Sequence, residues 1–192
     1  SVTVAGVRPR PGDPLAAMRA GIALVPEDRK TQGLVLPMTV VDNIALPSLR
    51  RLATLLWRSP GRETGLARHY VRRLAIQTPS ETQRVQRLSG GNQQKALLAK
   101  WLAIEPRVLL LDEPTRGIDV GAKHEVYRLI GEVAETGVAV VVVSSEMEEI
   151  IGLCDRALVM NQGFAAGEVS GEGLSPEGIM SLAAQTREIA LS

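Results

Sequence analysis

Cysteine is nearly absent from this sequence of 192 residues. The single Cys154 has no second cysteine with which to form an internal disulfide, and paired cysteines of the kind that hold a structural zinc ion are missing. One unpaired cysteine fits a reducing compartment. The sequence therefore excludes a disulfide scaffold and a cysteine-based zinc insertion.

A charge excess and a long apolar segment are also missing. The 22 basic and 21 acidic residues leave a net charge of +1, which gives no electrostatic case for binding nucleic acid or an anionic membrane surface. The most apolar stretch, 138–143, is far shorter than the roughly 20 residues that a transmembrane helix needs. We therefore expect any membrane association to come through a partner protein.

The most informative segment that is present is LSGGNQQK at 88–95. Ser89 and the two glycines after it leave backbone N–H groups uncovered at the start of a predicted helix, where the aligned peptide dipoles favour an anion such as a phosphate. Taken alone, the segment would more simply be a glycine-rich loop in which Ser89 is an ordinary N-cap.

A second segment gives the first one a context. Residues 108–111 are short, bounded and apolar, which predicts a central parallel strand covered on both faces. Asp112 and Glu113 follow at the carboxyl end of this strand, where open α/β sheets bind ligands. Asp112 could hold Mg²⁺ through its water shell and Glu113 could orient an attacking water. The alternative is that both are solvated residues at a strand end.

The alternation of strands and helices predicts an α/β fold with right-handed crossovers and a mostly parallel sheet. A helical subdomain is expected over about 40–88, with apolar stripes that include Leu55, Leu56, Leu66 and Tyr70. The predicted elements are a strand at 2–7, a helix capped by Asp13, a strand at 22–25, a helix capped by Thr39, a helix to about 104, a strand at 108–111, a helix at 120–135, a strand at 138–143, a helix to 153, and a C-terminal hairpin and helix over about 157–190.

Together these segments resemble an ATP-binding-cassette ATPase. LSGGNQQK matches the signature helix of that family, and the apolar strand ending in Asp112-Glu113-Pro114 matches its magnesium and base strand. PEDRK at 26–30, TRGIDVGAK at 115–123 and SSE at 144–146 are similar, more narrowly, to the second ATP-binding half of bacterial sugar importers of the ribose, xylose and galactose type. The resemblance covers nearly the whole chain.

The resemblance implies ATP and Mg²⁺ as cofactors, with each ATP sandwiched between the phosphate loop of one half and the signature of the other. The signature of this chain would therefore close on ATP held by the other half, through Ser89, Gly90, Gly91 and Gln93. Asp119 matches the loop that crosses the interface between the halves. It is equally a good N-cap for the helix that follows.

The pocket that belongs to this half would contain Glu27, Asp112 as metal ligand, and Glu113 and Ser145 as catalytic residues. Most of these ATPases have Gln at the position of Glu27, and a carboxylate there would repel a phosphate. They have His at the position of Ser145, and loss of a charged donor would cost about 1.5–3 kcal/mol of transition-state stabilisation. Ser145 with Glu148 also matches a helix capping box, which we favour.

A phosphate loop of the form Gly-x-x-x-x-Gly-Lys-Ser/Thr is missing, because the sequence contains no Gly-Lys dipeptide. The chain opens on Ser1 rather than Met. We expect the phosphate loop and its strand to precede residue 1, so that this chain alone cannot cradle a triphosphate.

The resemblance implies an ATP-hydrolysing subunit of a sugar importer, bound peripherally at the cytoplasmic face of the membrane. Its partners would be an N-terminal ATP-binding half, a membrane permease that contacts loop 26–46 and, indirectly, a sugar-binding protein. One alternative is a non-catalytic half that supplies only its signature. Another is a DNA-repair or chromosome ATPase, which usually carries coiled-coil or zinc-binding insertions that this sequence lacks.

Overall fold

The computed structural model describes residues 2–53 and 57–184, which fall into two compact units that divide after Val143. The first unit contains a three-stranded parallel sheet with helices, and the second contains an antiparallel hairpin with two helices. The predicted α/β class is confirmed.

The elements of the first unit follow the predicted alternation. They are α1 (Pro14–Arg19), β1 (Ile22–Val25), α2 (Val40–Ala45), α3 (Leu49–Leu52), α4 (Pro60–Arg73), α5 (Gly90–Leu102), β2 (Val108–Asp112), α6 (Val120–Glu135) and β3 (Ala139–Val143). Asp13 and Thr39 are N-caps as predicted, and each side chain accepts a backbone N–H three residues further along.

The central strand of the sheet is β2, which pairs in parallel with β1 on one side and β3 on the other. Val25 lies opposite Leu111, and Asp112 lies opposite Val143. The carboxyl ends of the strands are therefore aligned. This alignment brings the segments 26–30 and 113–119 to one edge of the sheet.

One face of this sheet is more deeply buried than the other among the described residues. Leu109 and Leu111 of β2 are at most 1% exposed. On the other face Leu24 is 47% and Val141 is 49% exposed, and Leu110 between them is intermediate. The prediction that β2 is covered on both faces is therefore wrong for the described chain, because an apolar run alone does not tell which neighbours cover it.

The predicted strand at 2–7 is also wrong. Val4 and Val7 exchange two backbone hydrogen bonds of 2.9 Å across a two-residue turn. Ala5 and Gly6 in this turn have φ angles of 46° and 80°. Two consecutive positive φ angles reverse the chain in a tight turn. The alternating valines had instead predicted a straight strand over these residues.

The predicted helical subdomain contains α2, α3 and α4. The buried stripe of α4 holds Glu63, Ala67 and Tyr70, whereas the predicted Leu66 is only half-buried. Glu63 is buried because Arg58 pairs with it, which an apolar pattern cannot predict. Leu55 and Leu56 of the other predicted stripe lie outside the described residues.

The second unit matches the predicted hairpin and its helices. Its elements are α7 (Met147–Leu153), β4 (Arg156–Asn161), β5 (Phe164–Ser170) and α8 (Pro176–Ala183). The end of the predicted last helix, 185–190, lies outside the described residues. Among the helices that the structure describes, none combines the length and apolar character needed to cross a membrane.

Candidate functional site

The signature segment 88–95 places Ser89 at the N-terminus of α5. Ser89 is the N-cap, which is the alternative role that the sequence left open, and its Oγ accepts hydrogen bonds from the backbone N of Asn92 at 3.4 Å and from Asn92 Nδ2 at 2.9 Å. Ser89 is exposed. The start of this 13-residue helix therefore presents the Ser89 hydroxyl to the solvent, beside the half-buried Gly90 at the positive end of the helix dipole.

The two glycines of the signature have different surroundings. A Cβ built on Gly91 would lie 2.7 Å from the Cβ of Ala122, so the close approach of α5 and α6 requires glycine there. A Cβ built on Gly90 would lie 3.1 Å from the guanidinium Nη2 of Arg29, which can move. Gly91 is therefore needed for helix packing, and Gly90 keeps the surface beside Ser89 open.

Gln93 was expected to contact the nucleotide, and the structure does not bring it to this surface. Its side chain is buried, and Nε2 donates to the backbone O of Val85 at 3.2 Å. The position on the helix explains the difference, because Gln93 faces the interior while Ser89 faces the solvent. We interpret Gln93 as a residue that fixes α5 to the segment before it.

A surface pocket adjoins the N-termini of both α5 and α6. Its lining includes Ser89, Asn92, Lys95, Asp119 and Glu125. Asp119 is the N-cap of α6, as predicted, and accepts from the backbone N of Ala122 at 3.0 Å. The Lys95 ammonium pairs with Glu125 at 2.5 Å and lowers the pKa of that carboxyl below its ordinary value. This ion pair joins the two helices beside the signature.

The acidic pair lies at the carboxyl end of the central strand. Asp112 is the last residue of β2, and Glu113 follows it with its backbone N donating to the O of Val143 at 2.8 Å. Glu113 has a φ of 45°, which is rare for a residue other than glycine and costs on the order of 1–3 kcal/mol. Ala5, Ala75, Glu105 and Gln162 have similar φ angles, so this angle shows a turn at Glu113 and does not by itself mark a functional residue.

The chemistry of Asp112 fits Mg²⁺ that is shared with a phosphate ligand. Mg²⁺ usually takes one or two carboxylates, several waters and phosphate oxygens, and seldom an all-protein cage. Within the described ranges no cluster of three His, Cys, Asp or Glu side chains could hold a metal. Asp112 is half-buried at the edge of the sheet and could serve as the one carboxylate that such a shared site needs.

Glu27 lies at the same edge and is paired with the Arg116 guanidinium. The sequence predicted a bare carboxylate that would repel a phosphate. The ion pair changes this expectation, because the charge of Glu27 is balanced and its side chain is held toward the loop after β2. Glu27 therefore links two loops in this structure.

Arg29 makes a second link between the same loops. Its Nη1 donates to the O of Arg116 at 2.8 Å, and its Nη2 donates to the O of Gly117 at 2.9 Å. The sequence did not indicate Arg29 as a site residue. Its only signal was its place in PEDRK, two residues after Glu27, since the bonds connect residues nearly ninety positions apart.

The loop that carries Arg29 is fixed at both ends. Asp28 Oδ2 accepts from the hydroxyl of Thr31 at 2.7 Å, and this bond lowers the pKa of Asp28. At the far end the buried Lys100 of α5 donates from Nζ to the O of Gly33 at 2.7 Å. Burial lowers the pKa of Lys100. Arg29 thus projects from a loop that is anchored on the signature helix.

Ser145 belongs to the second unit, and the capping box predicted for it is wrong. The N-cap of α7 is Glu146, which makes no side-chain cap bond, and the helix begins at Met147. The backbone N of Glu146 donates to the Oγ of Ser144 at 3.0 Å, so a turn closed by Ser144 moves the helix start one residue along. Glu148 is therefore not at the third helical position that a capping box requires.

Several import proteins have similar sequences. A protein of Agrobacterium fabrum named for ribose, galactose and methyl galactoside import is 52% identical over 90% of this chain and 34% of its own length. The ribose import ATP-binding protein of Rhodococcus jostii is 49% identical over 93% of this chain and 36% of its own length. The chain thus spans about a third of the length of the curated relatives it matches.

Solved structures and a family model agree on the fold. An ATP-binding cassette solved as a dimer with ADP and phosphate superposes with a TM-score of 0.72 at 20% identity, covering 88% of this chain and 72% of its own. An ATP-binding cassette of another ABC transporter gives 0.72 at 20% identity, over 89% and 71%. The family model described as ABC transporter matches residues 1–116, more than half of the sequence. The chain belongs to the ABC transporter family.

Proposed function

We propose that this chain is the signature-bearing part of the second ATP-binding half of a sugar importer. The observation that carries the proposal is the exposed Ser89 hydroxyl at the N-terminus of α5, where backbone N–H groups favour a phosphate. The names of the relatives support the sugar class, since they are import proteins for ribose and galactose.

The signature surface would act on ATP whose phosphate loop lies elsewhere in the longer protein. A helix N-terminus can bind the outer side of a triphosphate, but it does not replace the glycine-rich loop and lysine that enclose the β- and γ-phosphates. The sequence has no Gly-Lys pair for that purpose. Ser89, Gly90 and Gly91 would therefore complete a site that another half begins.

The edge of the sheet would form the pocket that belongs to this half. Asp112 would hold Mg²⁺ bound with the phosphates, and the metal would neutralise charge that develops on the phosphoryl oxygens. Glu113 would accept a proton from an attacking water, at a position that the strained backbone fixes. Glu27 stands where the resemblance implies Gln, and its pairing with Arg116 keeps it from contacting the γ-phosphate and the metal, so we expect slow turnover in this pocket.

A non-catalytic role for this pocket is the second candidate. It is favoured by Glu27, a departure from the residue implied by the family, and by the ion pair that engages Glu27. In that case the chain would contribute only Ser89 and its neighbours to hydrolysis. Under both candidate functions the protein would lie at the cytoplasmic face of the membrane, where loop 26–46 would contact a permease.

The test compares the chain of residues 1–192 with the full-length protein, each purified and checked for helical content by circular dichroism. We expect saturable Mg²⁺-ATPase activity from the full-length protein, and none from the chain alone. Steady turnover by the chain that disappears with Glu113→Gln would contradict the proposal, because it would show that the triphosphate is held without an external phosphate loop.

A further inference from the structure

Asn92 lies between the signature serine and a turn that follows α4. The backbone N of Gln77 in that turn donates to Asn92 Oδ1 at 2.8 Å. On the other side of the same amide, Asn92 Nδ2 donates to the Oγ of Ser89 at 2.9 Å. One side chain therefore connects Ser89 to a fixed backbone group.

The two bonds determine which way the amide of Asn92 points. A backbone N–H can only donate, so the amide oxygen must face Gln77 and the amide nitrogen must face Ser89. Ser89 Oγ consequently accepts from Nδ2, and it also accepts from the backbone N of Asn92 at 3.4 Å. Both lone pairs of the hydroxyl oxygen are then engaged, and its proton must be donated away from Asn92.

We propose that Asn92 is a positioning residue that makes the Ser89 hydroxyl a donor for a phosphate oxygen. Phosphate oxygens at neutral pH are mainly acceptors, so a hydroxyl held with its proton outward matches them without rotating first. This inference rests on the proposed function of the signature surface. It adds that the amide at position 92 makes Ser89 a hydrogen-bond donor at that surface.

The turn after α4 is attached to α5 at a second point. Because of this attachment, a role of Asn92 in orienting Ser89 can be distinguished from a role in anchoring the turn. The Lys95 ammonium donates to the backbone O of Ala75 at 3.3 Å, one helical turn beyond Asn92. Removing the Asn92 amide would therefore leave the turn attached. The N–H of Gln77 lies in an exposed hydrogen bond, so water can satisfy it when Asn92 is replaced.

Two replacements of Asn92 test its role in the full-length protein. Asn92→Leu has a similar shape, carries no charge and makes neither bond, so the hydroxyl of Ser89 rotates freely. Asn92→Asp keeps the bond from Gln77 but presents an oxygen to Ser89, which must then donate to the carboxylate. Both roles make the Asp variant severe, because its carboxylate would also repel a phosphate beside Ser89. The Leu variant separates the roles: anchoring predicts that its loss adds to that of Ser89→Ala, and positioning predicts that it does not.

The measurement is kcat for Mg²⁺-ATP hydrolysis by these variants, by Ser89→Ala, and by the Ser89→Ala/Asn92→Leu double variant, with the exposed Gln86→Ala as control. We expect kcat to fall roughly 100-fold in Ser89→Ala and roughly 3- to 10-fold in Asn92→Leu, because the hydroxyl is no longer oriented. The fall in kcat should be larger in Asn92→Asp than in Asn92→Leu. The double variant should be no slower than Ser89→Ala alone. Matching thermal unfolding midpoints would show that the variants fold.

Losses that multiply in the double variant would overturn the inference while the proposed function stands. Undiminished hydrolysis by Ser89→Ala would instead overturn the role proposed for the signature, and with it the role of Asn92. The two failures are therefore distinguishable by the Ser89→Ala result alone.

Discussion

Arg29 shows how much of this site depends on one side chain. Its planar guanidinium spans the adjacent carbonyls of Arg116 and Gly117, a geometry that suits its rigid fork of donors. Gly117 has a φ of 68°, so its carbonyl is presented by a conformation that glycine adopts without strain. Arg29 therefore fixes the loop after Glu113 relative to the loop after β1.

Replacing Arg29 with Lys should loosen the loop after β2. A lysine keeps the charge but cannot donate to both carbonyls at once, so we expect the loss of about 1 kcal/mol of local stability. Amide hydrogen exchange over residues 115–119 should then accelerate about fivefold. The exposed neighbour Lys30→Ala is the matched control and should leave exchange unchanged. Equal exchange in Arg29→Lys and the wild type would contradict this role.

The Glu27 position shows what a sequence can and cannot tell about a residue. The motif around it indicated a departure from the family pattern, and the predicted repulsion followed from Coulomb's law applied to an isolated carboxylate. The partner, Arg116, lies far away in sequence, and only the aligned ends of β1 and β2 bring it close. Pair formation across a sheet edge is a tertiary event that local pattern does not encode.

At the scale of elements, the contact between α5 and α6 supports the signature surface. Gly91 and Ala122 allow the two helices to approach so closely that one added methyl group would collide. Lys95, which is 6% exposed, and Glu125 join the helices a turn further along. The N-terminus of α5 is therefore held by packing and by charge at neighbouring positions.

Gly91→Ala should destabilise the full-length protein. The new Cβ would lie 2.7 Å from the Cβ of Ala122, and neither atom can rotate away, so we expect a loss of about 1–3 kcal/mol in unfolding free energy. Adding Ala122→Gly to Gly91→Ala should recover most of this loss. Chemical denaturation of the three proteins provides the measurement.

Gly131→Ala on α6 is the control for the helix-propensity effect of the same substitution. Nothing lies within 4 Å of its added Cβ, so the change should stabilise the protein by about 0.5–1 kcal/mol. If Gly91→Ala and Gly131→Ala shifted stability in the same direction, close packing of α5 on α6 would not be the reason for Gly91.

The elements were predicted best where a local rule decides them. Asp13 and Asp119 cap their helices as predicted, because side-chain caps are formed by residues three positions apart. Predictions failed where distant partners decide. The sequence did not predict that Glu63 would be buried, that Gln93 would face inward, or that one face of β2 would be only half-buried, since each depends on what packs against the element.

At the scale of the whole molecule, we expect loop 26–46 to contact the permease. Within these 192 residues the only cysteine is Cys154, so Cys154→Ser, with any cysteine elsewhere in the transporter also replaced, gives a background in which new cysteines can be placed one at a time. Cysteines at Met38 or Val41 should crosslink to the permease in assembled transporter, whereas one at the exposed Glu132 on α6 should not. Crosslinks from Met38 and Val41 only to the other ATP-binding half would reverse the assignment.

The central claim is that the signature of this chain serves ATP held by another half, while its own acidic pair serves a weaker pocket. Ser89→Arg would block the approach of a phosphate to the N-terminus of α5 and disturb donors worth about 10²–10³ in rate. Glu113→Gln keeps the shape of the second pocket and removes only its base.

The most direct measurement compares Ser89→Arg and Glu113→Gln in the full-length protein, assembled with its permease in membranes, by ATP hydrolysis and transport. The account predicts that Ser89→Arg nearly abolishes both activities, while Glu113→Gln retains a substantial fraction of each. Equal losses, or a more severe defect from Glu113→Gln, would contradict it and would show that the pocket at Asp112 and Glu113 performs the principal chemistry.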